Sequence, residues 1–239
     1  MADKTLGVLG GMGPEATSLF FKKIVENTVA TKDQEHINTI ILNHATIPDR
    51  TQVIKKRNDQ EFLQAIKSDF LLFEKANVDH IAIPCNTSHY FFEEMQRMTS
   101  IKIINMIDET IIELRNQLGQ NKKVGVLATD GTIMTKIYEE ACHKFKLLPY
   151  NPNESIQSSI MDIIYKVKQG VYVPPTRLEH IINNMIDAGC SAVILGCTEL
   201  STIQIDKTIK LKTIDPLEVL VHRSIILSNK QSKLTFEIK

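Results

Sequence analysis

Residues 5–16 read TLGVLGGMGPEA, and residues 123–134 read KVGVLATDGTIM. Each opens on a short apolar run, passes through small turn-forming residues and leads into a stretch with helical spacing. A run that is apolar on both faces predicts a strand covered by helices on each side, as in parallel sheets. Further runs of this kind occur at 39–43, 80–83, 101–105, 192–195 and 211–214, beside those at 6–9 and 124–128. Amphipathic stretches lie between them at 14–28, 61–76, 132–145, 154–168 and 176–188, and the VYVPPT segment at 171–176 reads as a loop. Strands alternating with helices predict an α/β protein with parallel sheets.

The two opening stretches belong to a longer internal echo. LGVLGGMG at 6–13 is matched by VGVLATDG 118 residues later. IAIPCNT at 81–87 is matched by VILGCTE 112 residues later, and IKIINMID at 101–108 by IKLKTID at an offset of 107–108. Three matches in the same order at nearly constant offset predict two similar halves. Such halves face each other across a cleft, where small-molecule sites form.

Composition narrows the function. The 239 residues carry 28 Lys plus Arg and 28 Asp plus Glu, without the basic excess that nucleic acid or an anionic membrane requires. The start lacks an apolar signal core, and no uncharged apolar stretch approaches the roughly 18 residues of a membrane span. The expectation is a cytoplasmic protein whose four cysteines are free thiols. Only ten glycines occur, and four of them (Gly7, Gly10, Gly11 and Gly13) cluster within seven residues. From Gly11 the cluster fits G-x-G-x-x-A, a dinucleotide pattern. The next strand, however, ends in Asn43 and His44 rather than a ribose-binding carboxylate, and Pro14 removes an N–H from the helix start. A nucleotide-dependent oxidoreductase is therefore disfavoured. The better reading is a loop whose N–H groups and Met12 side chain line a pocket for a small anion such as a carboxylate.

Cys85 and Cys197 end strands in equivalent places of the two halves. Two thiols facing one cleft suit inversion of a carbon centre, one removing a proton as thiolate and the other delivering one as thiol. A free thiol titrates near pH 8.5, so modest tuning poises it, and Asp49, His89 and Glu199 are candidates to set that poise. Cys142 and Cys190 lack that context and read as packing residues. No C-x-x-C or H-x-x-x-H pair occurs, so no metal is expected. Arg50, in IPDRTQ, can grip a carboxylate or simply be a surface cation. The ATDGT run at 128–132 offers hydroxyls at another helix start.

Taken together, GVLGGMGPEAT, KDQEH, IPDRT, PCNTSH, LATDGT, GCTELS and IDPLEV resemble the aspartate racemases of the cofactor-independent aspartate/glutamate racemase superfamily. The resemblance implies two similar three-layer αβα domains with mostly parallel sheets, related by pseudo-symmetry, with the active site in the cleft between them. The expected division is 1–103 with 216–239, and 104–215. The resemblance also implies a homodimer and racemisation by Cys85 and Cys197 without pyridoxal phosphate. Asn86, Thr87 and Ser88, with Thr129, Thr132 and Thr198, match positions that hold the α-carboxylate and amino group. Met12 and Gln52 match further pocket residues, Arg50 the grip on a distal carboxylate, Lys168 a second cation, and Asp49 and Glu199 acids that assist the thiols. Aspartate racemisation is the leading expectation. The alternatives are a broad-specificity racemase or epimerase and a non-catalytic amino-acid binding protein.

Overall fold

The computed structural model describes residues 4–239. The first half contains β1 (Thr5–Gly10), α1 (Pro14–Asn27), β2 (Asn38–Asn43), α2 (Arg50–Lys56), α3 (Asp59–Lys75), β3 (His80–Ala82), α4 (Phe92–Arg97) and β4 (Lys102–Ile103). Then come α5 (Met106–Leu118), β5 (Lys123–Ala128), α6 (Asp130–Met134), α7 (Ile137–Lys144), β6 (Leu148–Tyr150), α8 (Glu154–Lys168), α9 (Pro175–Asp187), β7 (Ala192–Gly196), α10 (Lys207–Lys210), β8 (Thr213–Ile214) and α11 (Pro216–Leu227). The strands form two four-stranded sheets ordered β2-β1-β3-β4 and β6-β5-β7-β8, parallel throughout. The two orders are the same order, which is the structural form of the internal echo.

Each sheet is buried on both faces. Leu6 and Val8 of β1 pack with Phe20, Ile24, Leu217 and Val221, and Leu9 packs on the other face with Phe62, Ile66 and Phe70. In the second half Val124 and Val126 pack with Ile107, Ile111 and Leu114, while Leu127 faces Ile160, Ile163 and Ile182. Two of the sparse glycines are explained by this packing. A Cβ on Gly7 would lie 2.9 Å from Phe73, and one on its counterpart Gly125 would lie 2.7 Å from Met185. Gly11 has φ +93°, and a Cβ there would run into the His44 carbonyl, a position that only glycine occupies without strain.

Helices exchange between the halves. α5 covers the second sheet, whereas α11 returns to pack on β1 and β3 beside α1. The segment after α11 divides between the halves: Leu234 packs on the first sheet's cluster, and Phe236 and Ile238 on the second's. Several elements differ from the sequence expectation. The helix expected over 132–145 is broken into α6 and α7 at Lys136, which has φ +56°. The strands expected at 101–105 and 211–214 shrink to the two residues of β4 and β8, and part of the latter is the turn of α10 and its cap. Within the IPDRTQ segment, α2 begins at Arg50. Among the described residues, no helix is long and apolar enough to cross a membrane.

Candidate active site

In a sheet of this order the chain leaves β1 to one side and returns as β3 on the other. A crevice opens there at the strands' carboxyl ends. Met12 follows β1 and Cys85 follows β3; Thr129 follows β5 and Cys197 follows β7. These four ends converge on one cavity, closed at the side by Asp49 and Arg50 of the turn into α2 and by Lys168 of α8. All the sequence-predicted site residues line it except Gln52, Ser88, His89 and Thr132. Gln52 is exposed and only donates its backbone N–H to Asp49, at 2.9 Å. Ser88 turns its hydroxyl back onto the Cys85 carbonyl, at 2.8 Å. Thr132 supports the wall from behind: its hydroxyl lies 2.9 Å from that of Thr87 and 3.1 Å from that of Thr129.

Both thiols are buried. The Cys85 carbonyl accepts hydrogen bonds from Ser88 and from His89 Nδ1, the latter at 2.8 Å, and His89 Nε2 accepts the Met106 N–H at 3.1 Å. Burial lowers the imidazole's pKa against the pull of its carbonyl partners, so His89 is a neutral strut beneath Cys85 rather than a proton carrier. The Cys197 thiol donates to Glu199 Oε2 at 2.8 Å, and Glu199 Oε1 pairs with Lys168 Nζ at 3.1 Å. Burial, then the Glu199 charge, push the Cys197 thiol well above its ordinary value while Lys168 opposes them. Cys197 therefore carries its proton at neutral pH. Lys168 pays for burial too, but Glu199 and the two sulfurs outweigh that cost and raise its pKa. The other cysteines are packing residues: burial raises Cys142 to about 12 and raises Cys190 as well.

Arg50 is 7% exposed, and its guanidinium reaches only carbonyls: Ile47 at 3.4 Å, Pro48 at 3.1 Å and Met12 at 3.3 Å. No carboxylate pairs with it among the described residues, and its Nε has no partner. A buried cation in this position is prepared for an anion. Asp49 caps α2 through its contact with Gln52. The Gly loop differs from its reading in one respect: the Gly11 N–H is taken by Thr17 Oγ1 at 2.9 Å, so the Met12 side chain rather than that N–H faces the cavity. Gly131 marks a close approach of the halves, where a Cβ would lie 3.0 Å from Thr51 Oγ1 and 3.1 Å from Thr87.

Residues 9–223 match the profile of the Asp/Glu/hydantoin racemase family. The chain belongs to that family. The broad-specificity amino-acid racemase RacX of Bacillus subtilis is 29% identical over 208 residues, 83% of this chain and 86% of its own length. The solved aspartate racemase of Picrophilus torridus is 29% identical, with 96% of each chain covered and a TM-score of 0.81. Glutamate racemase from Campylobacter jejuni shares the fold at 17% identity and a TM-score of 0.61, covering 98% of this chain and 90% of its own. As a member of the racemase family, the chain adds three lining residues that the motifs did not single out: Thr51, Ile164 and Tyr165. Ile164 and Tyr165 lie one turn before Lys168 on α8, so helical periodicity from Lys168 would have found them.

Proposed function

We propose that this chain is an amino-acid racemase that uses Cys85 and Cys197, without pyridoxal phosphate, and that its substrate is aspartate. The observation that carries the reading is the pair of buried thiols, each at a matching strand end, on one cavity. Cys197, held as a thiol on Glu199, is the proton donor. Cys85, as thiolate, takes the Cα proton from the opposite face. The C–H electron pair moves into the α-carboxylate, giving an enediolate, and returns to Cα as the Cys197 proton arrives. After one turnover Cys85 is the thiol and Cys197 the thiolate, ready for the other enantiomer.

The hydroxyls of Thr87, Thr129 and Thr198 and the amide of Asn86 surround the α-carboxylate, where negative charge grows. Donors fixed in advance are worth most at that point. The unpaired Arg50 takes the distal carboxylate, and the paired Lys168 keeps the Glu199 charge in check. The likeness to RacX favours a second reading, a racemase of broad specificity, in which Arg50 serves several side chains.

Proton NMR in deuterated buffer with reductant, over a panel of amino acids, separates the two. Loss of the Cα–H signal from aspartate well ahead of alanine, serine and lysine is expected. Arg50→Ala should then slow aspartate by roughly 100-fold or more while changing alanine little. Similar exchange across the panel would favour broad specificity, and no exchange in any amino acid would overturn the racemase reading.

A further inference from the structure

We infer that Tyr138 is a positioning residue for racemisation, orienting the Asn86 amide so that its N–H donors face the reacting carboxylate. This rests on the racemase reading above. Tyr138 belongs to α7 in the second half, and Asn86 directly follows Cys85 in the first. The phenol hydroxyl crosses between the halves and donates to Asn86 Oδ1. With its oxygen occupied, the amide is left with Nδ2 as its free donor, and Asn86 lines the cavity. That nitrogen is buried without a partner, and Asn86 as a whole is only 2% exposed. Leaving a buried donor unpaired costs about 1–3 kcal/mol, so a donor kept in this state points to an acceptor that arrives with the substrate.

The ring is placed for the task. A Cβ on Gly196 would lie 3.1 Å from Tyr138 Cε2, so the strand end that carries Cys197 packs closely against the phenol where a side chain would crowd it. Burial holds the phenol far above its ordinary pKa, with the nearby thiols and Asp215 adding to the effect. The hydroxyl is therefore a donor at every working pH. Donation into Oδ1 polarises the amide and strengthens its N–H groups. That gain matters most when the α-carboxylate becomes an enediolate, so it favours the transition state over bound substrate.

Tyr138→Phe removes the hydroxyl and keeps the ring. The expected result is a kcat lowered by roughly 10- to 100-fold with KM nearly unchanged and a thermal midpoint close to that of the wild type. In an Asn86→Ala background, where the amide is already gone, the same substitution should cost nothing further. A Tyr138→Phe chain with wild-type kcat, or one whose loss adds in full to that of Asn86→Ala, would overturn the assignment. A loss confined to the thermal midpoint would also overturn it, because it would make the contact merely structural. If the wild-type chain exchanges no amino acid, the racemase reading falls and this assignment falls with it. Wild-type exchange with an unaffected Tyr138→Phe defeats the assignment alone.

Discussion

At the scale of single residues, the two thiols are alike in placement and unlike in surroundings. Cys85 is held through its carbonyl, by Ser88 and His89, whereas Cys197 is held through its sulfur, by Glu199. The sequence echo made the pairing of the cysteines legible, because PCNT and GCTE occupy equivalent strand ends. The asymmetry was not legible, since it depends on Glu199 folding back two residues onto the sulfur and on Lys168 arriving from a distant helix. It yields a titration test. Glu199→Gln removes a charge that disfavours the thiolate and releases Lys168 to favour it, so the Cys197 pKa should fall. Lys168→Met should raise it. Ultraviolet thiolate absorbance, taken as the difference between each chain and its Cys197→Ser counterpart, isolates this thiol. Movement of both variants in the same direction would contradict the account.

Among the elements, the central strands were readable and the margins were not. Strands β1, β5 and β7 are buried on both faces, and their unbroken apolar runs announce it. β6 escaped because it is a three-residue edge strand with Pro149 inside, and an edge position tolerates a missing N–H. α5 was missed although its stripe of Met106, Ile107, Thr110, Ile111 and Leu114 has helical spacing. Its first residues fall inside the IKIINMID echo, which reads as a strand end, whereas Asn105 caps the helix through Ile107 and Asp108. The equivalent cap in the other half is Asp215, which starts α11. Asp215 Oδ1 accepts from Leu217 N–H and from the Ser201 hydroxyl, each at 2.8 Å.

Burial, then the neighbouring Glu218 carboxylate, raise Asp215 from 3.8 to about 6. The native state thus keeps a proton that the unfolded chain gives up between about pH 4 and 6. Stability falls as pH rises through that window, and the cost is fully present above it. Asp215→Asn preserves the cap and cannot ionise. It should stabilise the protein at pH 7 by on the order of 1–3 kcal/mol and have little effect near pH 4, as read by denaturant unfolding at both pH values. An equal shift at both would show that the carboxyl's ionisation is not the cause.

For the whole molecule, the halves are closed on each other. Lys55 pairs with Asp130 at 2.8 Å, Thr87 meets Thr129 and Thr132, and Tyr138 reaches Asn86. The cavity they enclose is small, about 20 Å³, room for one or two waters, so the racemase reading requires the halves to part for an amino acid to enter. A cleft between two halves was legible in the repeat; its closure was not, because it is made by side chains that carry no motif. In the proposed reaction the closed cavity holds one thiol on each side of the substrate, and that placement is the central claim. It is tested most directly by starting with a single aspartate enantiomer in deuterated buffer and following both enantiomers at early times. Two thiols acting from opposite faces predict product fully deuterated at Cα while the remaining substrate keeps its Cα–H. Early deuterium in the recovered substrate, at a rate matching racemisation, would mean that one base serves both faces and would contradict the account.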